Sequence, residues 1–237
     1  MRLYLMNTAT MGEDTPVPCY LVRTDDGQHI LIDTGLAPAM AAAAQEPGHQ
    51  GPPIRAYTSV VERLAALGVR PEEVTTLIAT HLDPDHAGMT DAFPQAEIVI
   101  QRAHLAAARA ATEFRYGLTR QHWDAPGLRY RAVDGDTALL PGIALIETGG
   151  HVPGHQSVLV RLAQTGPVLL AIDALGTAAQ ADLATRQPHP FDLDEAGVLA
   201  STTKLRDLVA REGVTLTVYG HDGPQWATLK QAPDYYD

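Results

Sequence analysis

Four side chains able to bind or orient a metal ion, His81, Asp83, Asp85 and His86, fall within the stretch Thr80-His81-Leu82-Asp83-Pro84-Asp85-His86-Ala87-Gly88. The residues before it, VTTLIAT at positions 74–80, are β-branched or apolar and suit a buried strand. The motif therefore sits just past a strand's C-terminal end, where sites commonly open in layered α/β folds. A turn can aim successive side chains inward, whereas a strand would alternate them, so these four can converge as half of a dinuclear metal site. A plain polar turn that caps a helix would also use Asp-Pro-Asp. The two histidines spaced by five and the Ala-Gly that follows favour the metal reading, and distant residues must decide between the two.

Three distant positions bear on that decision. His151 follows a strand-like run and two glycines in Thr148-Gly149-Gly150-His151, where the backbone can turn sharply. Asp173 ends the apolar run Val168-Leu169-Leu170-Ala171-Ile172, a place where the core pattern calls for an apolar residue. His221 ends another strand, before Asp222-Gly223. Each alone has an ordinary structural explanation, as a cap, a turn or a hydrogen-bonded imidazole. Together they supply imidazole and carboxylate donors without sulfur, a set suited to zinc, iron or manganese.

The elements that must position these residues follow from periodicity. Residues 3–6, 20–23 and 29–33 read as strands, the last two joined at Asp25-Asp26-Gly27. Residues 38–53, rich in Ala, Gly, Pro and Gln, hold a short helix and a loop that is a candidate lid or only a connection. A helix is expected from Ser59 as N-cap to Leu67 with Gly68 as stop, then strand 74–80 and the motif, strand 97–101 and an alanine-rich helix over 104–114. An irregular stretch with Tyr116, Trp123 and Tyr130 follows, its aromatics more often packing residues than substrate contacts. Strands are expected at 131–133, 144–148, 157–162 and 168–173, with Gly166-Pro167 as a hairpin turn, then a helix over 200–212 and a strand over 216–219. This alternation places helices against sheets in a single domain of 237 residues.

Composition narrows the function classes. A net charge of −11 repels phosphate backbones, so nucleic acid is not an expected partner and a small, weakly charged substrate is. One cysteine, Cys19, rules out an internal disulfide and thiolate-rich zinc sites, and reads as a buried strand residue. The first residues turn polar too soon for a signal peptide and no apolar run is long enough to span a bilayer, which points to a soluble cytoplasmic protein.

These ordered motifs, Leu31-Ile32-Asp33-Thr34-Gly35, Thr80 to Gly88, Gly149 to His155 with Gln156-Ser157, Ile172-Asp173-Ala174 and Tyr219-Gly220-His221-Asp222, resemble the metallo-β-lactamase superfamily, and within it the N-acyl-homoserine lactonase family. The resemblance implies an αββα sandwich with two divalent metal ions between the sheets, zinc first and iron or manganese as alternatives. His81, Asp83 and His151 would hold one, Asp85, His86 and His221 the other, and Asp173 would bridge them. Asp33 and Thr34 would orient ligands, and His155 would be a supporting or packing histidine. The implied reaction is opening of a small lactone, an N-acyl-homoserine lactone first, through attack by a hydroxide held between the metals. Asp85 would orient that hydroxide or carry its proton to the leaving oxygen. The alternatives are hydrolysis of another lactone, a thioester or a phosphoester, or metal binding without catalysis, in a monomer or homodimer. Two positions depart from the family: Asp83 stands where a histidine is usual, and Gly176 stands where the lactonases carry a tyrosine three residues past the bridging aspartate. A hard oxygen at 83 favours iron or manganese in that position.

Overall fold

The computed structural model describes residues 1–112 and 114–237. Its strands are β1 (Arg2–Met11), β2 (Thr15–Arg23), β3 (His29–Ile32), β4 (Ile54–Arg55), β5 (Val74–Ile78), β6 (Glu97–Gln101), β7 (Arg129–Val133), β8 (Thr137–Leu140), β9 (Ile143–Glu147), β10 (Gln156–Leu162), β11 (Gly166–Ile172) and β12 (Leu216–Tyr219). Helices are α1 (Pro38–Ala43), α2 (Val60–Ala66), α3 (Arg102–Ala110), α4 (Phe114–Gly117), α5 (Arg120–Trp123), α6 (Glu195–Glu212) and α7 (Gly223–Trp226). One sheet runs β4-β1-β2-β3-β5-β6-β7 and the other β12-β11-β10-β9-β8. The first is antiparallel through β3 and parallel from β3 to β7, while in the second only β11–β12 is parallel.

Alternation along the strands explains the layering. Leu3 and Leu5, Tyr20 and Val22, and Ile30 and Ile32 point into one core with Leu145, Val158, Val160 and Leu170 of the other sheet. Their neighbours Tyr4, Met6, Cys19, Leu21 and Leu31 point the other way, against Val60 and Leu64 of α2, Leu105 and Ala108 of α3, and Trp123. On the far side, Leu159, Leu169 and Ala171 meet Leu205 and Leu208 of α6. Helix, sheet, sheet and helix form the expected αββα sandwich, in which most strands of the larger sheet are buried on both faces and therefore read as continuous apolar runs. Cys19 is buried in it, as are Tyr116 and Trp123.

Several boundaries differ from the sequence reading. Strand β1 continues five residues beyond Met6, because a register shift at Asn7 lets the Asn7 side chain accept the Val17 N–H at 3.0 Å. That shift also seats Pro16 and Pro18 inside β2, which a regular interior ladder disfavours. Gly166-Pro167 is not the hairpin turn. Gly166, at φ +84°, opens β11 opposite Leu162, and the turn lies at 163–165. Helix α6 begins at Glu195, five residues earlier than its pattern suggested, since Gly197 lowers helix propensity but is needed where a Cβ would come within 2.9 Å of Gly150 Cα. The helix expected over 104–114 starts at Arg102 and stops at Ala110, Phe114 opens α4, and Glu113 lies outside the described residues. Residues 38–53 contain α1, with Gln45 Nε2 donating to the Ile54 carbonyl at 2.7 Å and Gly12 N to Pro53. Among the described residues no helix is long and apolar enough to cross a membrane.

The turn after β5 depends on a glycine. Gly88 N donates to the Gly35 carbonyl at 2.8 Å, and a Cβ at Gly88 would lie 2.1 Å from Ala37 N and 2.5 Å from Leu36 C. All of these are backbone atoms, which cannot rotate away. Gly88→Ala is expected to destabilise the fold by about 3 kcal/mol, read as a lower urea midpoint at unchanged m-value; a shift near zero would show that the two segments separate freely.

Candidate metal centre

The chain ends of β5, β11 and β12 and the glycine turn after β9 bring the predicted residues to one place. Three groups of donor atoms lie together: His81 with Asp83 and His151, Asp85 with His86 and His221, and His81 with His86 and Asp173. The two oxygens of Asp173 face different histidines. Its Oδ2 is 3.7 Å from His81 Nε2 and 3.3 Å from His151 Nε2, while its Oδ1 is 3.3 Å from His86 Nε2 and 3.1 Å from His221 Nε2. Asp83 Oδ2 is 3.6 Å from His81 Nε2, and Asp85 Oδ2 is 3.7 Å from both His86 Nε2 and His221 Nε2.

Each imidazole is oriented from behind through Nδ1. His86 Nδ1 lies 2.9 Å from Asp33 Oδ2, His151 Nδ1 2.9 Å from Asp192 Oδ1, and His221 Nδ1 2.9 Å from the Pro16 carbonyl. Those partners accept, so the proton is assigned to Nδ1 in each ring and Nε2 faces the centre. His81 Nδ1 lies 3.1 Å from Thr80 Oγ1, whose hydroxyl donates to Asp33 Oδ2 at 2.7 Å, so His81 donates to Thr80 in turn. Asp33, buried and at φ +59°, thus steadies two histidines and also accepts Thr80 N at 2.8 Å. Thr34 holds the motif loop itself, its N and Oγ1 both donating to the His86 carbonyl.

Local backbone is spent on this arrangement. Ile172, just before Asp173, sits at φ +54°, a left-handed conformation that costs a β-branched residue on the order of 1–3 kcal/mol. Gly220 permits it, because a Cβ there would meet Ile172 O at 2.5 Å. His155 is not part of the converging set: its Nδ1 bonds Thr148 Oγ1 at 2.9 Å and its Nε2 accepts the Asp173 N–H at 3.3 Å, fixing the backbone of Asp173.

The residues fit a bound cation on two grounds. His81 Nε2, His86 Nε2 and Asp173 Oδ1 are buried with no hydrogen-bond partner among the described residues, and each such orphan costs about 1–3 kcal/mol. The donor separations of 3.1–3.7 Å also match the roughly 3.4 Å between ligands about 2.1 Å from a tetrahedral zinc ion.

Burial drives the His81 imidazole down to about 3, so it stays neutral. At His221 burial also disfavours charge, but the Asp173 carboxylate outweighs it and pushes the imidazole up to about 9. The Asp173 carboxyl, although buried, is held well below the usual carboxylate range by His221 and His86.

The model of the metallo-beta-lactamase superfamily matches residues 12–221. The chain belongs to that superfamily. It is 35% identical to an N-acyl homoserine lactonase of a Bacillus species, over 97% of this chain and 91% of that one. It is also 35% identical to the N-acyl homoserine lactonase AttM of Azorhizobium caulinodans, over 94% and 88% of the two chains. A solved N-acyl homoserine lactone hydrolase, with N-hexanoyl-L-homoserine bound at its catalytic metal center, superposes with a TM-score of 0.85 at 29% identity, covering 99% of this chain and 98% of that one.

Within this superfamily member the sequence reading missed three residues. Arg115 bonds Asp83 and His151, Asp192 orients His151, and the buried Arg186 lies 3.7 Å from Asp192. Their only sequence signal is charge inside loop-like stretches, which does not separate them from surface residues. His104 was read only as part of a helix. It ties two loops of the centre together, accepting Leu82 N at 2.9 Å and donating from Nδ1 to the Pro153 carbonyl at 2.8 Å. Gly176 offers backbone alone: its carbonyl accepts His221 N at 2.7 Å.

Because His221 carries its proton at neutral pH in this arrangement and a ligating imidazole must be bare, a cation added at pH 7 is expected to expel at least one proton. Apparent affinity should climb as pH rises from 7 and level off above about 9. Titration calorimetry of zinc uptake in two buffers of different ionisation enthalpy counts the protons; equal heats in both would contradict the assigned charge on His221.

Proposed function

We propose that this protein is a metal-dependent hydrolase that opens the ring of N-acyl-homoserine lactones. The observation that carries the reading is the division of the Asp173 carboxylate between two pairs of histidines, in a chain similar along almost its whole length to proteins named as such lactonases. His81, Asp83 and His151 would hold one divalent cation and Asp85, His86 and His221 a second, with Asp173 between them. Zinc is the expected ion, since imidazole and carboxylate at these spacings suit it. We read residues 1–237 as one hydrolase domain, supported by an inter-sheet core that takes Leu3 from one end of the chain and Val218 from the other.

Bound cations would supply an acidified water at neutral pH and polarisation of the ester carbonyl. The chain's own residues do the rest. Asp85, 18% exposed beside the buried His86, would take a proton from the attacking water and deliver it to the ring oxygen as the C–O bond breaks. The Nδ1 bonds to Asp33, Thr80, Asp192 and Pro16 hold the imidazoles fixed, so little reorganisation is needed during reaction. Phe114, Phe191 and Leu193, exposed by 78%, 65% and 59%, lie beside the centre, as Phe191 O accepts Arg115 Nη1 and Leu193 N donates to the His151 carbonyl. An apolar rim next to a charged centre fits an acyl chain attached to a polar ring.

The test is turnover of a panel holding N-hexanoyl-homoserine lactone, an unsubstituted lactone, a thioester and a phosphotriester by the zinc-loaded protein, with the ring-opened acid identified by mass. The acyl-homoserine lactone is expected to react fastest. Asp173→Asn should lower its kcat/KM by at least about 100-fold with the melting temperature little changed, since the amide keeps the shape and loses the charge. Fastest turnover of the thioester or phosphotriester would replace the substrate assignment, and wild-type rates in Asp173→Asn would refute the role of that carboxylate.

A further inference from the structure

Arg115 makes the two halves of the centre unlike. Its Nε donates to Asp83 Oδ1 at 2.6 Å and its Nη2 to Asp83 Oδ2, a two-point clamp of guanidinium on carboxylate. The same Nη2 lies 2.7 Å from His151 Nε2, and Nη1 is anchored on the Phe191 carbonyl at 2.6 Å. His151 Nδ1 donates to Asp192 Oδ1, and its Nε2 faces Asp83 Oδ2 at 3.2 Å as well as the guanidinium. An imidazole nitrogen has a single lone pair. Arg115 Nη2 stands against the nitrogen whose lone pair ligation at His81, Asp83 and His151 requires, whereas each Asp83 oxygen has a lone pair to spare.

Among the described residues no guanidinium is hydrogen-bonded to Asp85, His86 or His221. His86 and His221 are anchored at Nδ1, and their Nε2 atoms face Asp173 Oδ1 at 3.3 and 3.1 Å, a carboxylate that favours a cation at that point. Charge acts in the same direction as the hydrogen bond. The guanidinium neutralises the negative charge that Asp83 brings in place of an imidazole, and it repels a dication entering beside it.

We infer that the two metal positions differ in affinity and that Arg115 sets the difference. The half built from Asp85, His86 and His221 with Asp173 Oδ1 fills first. The half built from His81, Asp83 and His151 fills second, as Arg115 Nη2 draws back from His151 Nε2 and the lone pair of that nitrogen passes to the cation. Arg115 stays protonated and clamped on Asp83 throughout. This inference rests on the dinuclear reading above.

The full-length protein loaded with zinc is equilibrated against zinc buffers of graded free concentration, and bound zinc per chain is counted. The wild type should fall from two to one and then from one to none, in steps at least about tenfold apart in free zinc, the size expected for one charge-assisted hydrogen bond. Arg115→Met, of similar length without charge or donors, should move the weaker step toward the stronger one and leave the stronger in place. Arg115→Lys, which has a point charge but no fork, should fall between the two. His151→Ala should remove the weaker step alone. Two zinc ions leaving the wild type in a single step, or a weaker step unmoved in both Arg115 variants, would overturn the inference and leave the dinuclear reading standing. Failure of the wild type to hold zinc would overturn both, and the wild-type curve decides even if Arg115→Met does not fold.

Discussion

Four imidazoles must present a bare Nε2 to a common point, and this demand governs the rest of the centre. A ring can do so only if its Nδ1 proton is taken, and each is taken by a separate acceptor: a buried carboxylate for His86, a hydroxyl for His81, a second carboxylate for His151 and a backbone carbonyl for His221. The acceptors come from β2, the residue after β3, the turn that follows β5 and the loop before α6. Elements distant in sequence are thereby locked into one arrangement. Asp33 carries the largest share, because one carboxylate serves His86 directly and His81 through Thr80.

Close backbone approach is the second consequence. The loops that bear these side chains meet where a methyl group would not fit: Gly88 against residues 35–37, Gly150 against Gly197 and Val198, and Gly220 against Ile172. Ile172 adds a left-handed backbone that its own side chain opposes. Such strain persists only where surrounding packing over-determines it. The buried strands on both sides of Ile172 and the His155 bond to Asp173 N supply that constraint.

Charge balance is the third. The carboxylates of Asp83, Asp85, Asp173, Asp33 and Asp192 crowd into one region of an already acidic protein, and each is answered locally. Arg115 clamps Asp83, Arg186 stands behind Asp192, and the histidines surround Asp173. A neutral imidazole at position 83 would leave Arg115 without its carboxylate, so Asp83 and Arg115 work as a unit.

The sequence by itself determined the layers and the converging residues. Runs apolar on both faces announced the buried strands, and His81, Asp83, Asp85 and His86 stood out because chemistry-bearing residues are rare at the end of such a run. His151, Asp173 and His221 were legible for the same reason, each breaking a strand pattern at its C-terminal end. Resemblance to a known family then grouped them. Tertiary structure alone decided how they are held. Arg115, Asp192 and Arg186 lie in irregular segments with no period to reveal which way a side chain points, and the partners of each in the centre lie between 6 and 41 residues away. The extent of β1 and the start of α6 were hidden likewise, because a side-chain bond from Asn7 and the packing of Gly197 on Gly150 override local preference. Periodicity reports which face of an element is buried, but a hydrogen bond between two loops depends on where the whole fold places both ends, and no local pattern encodes that.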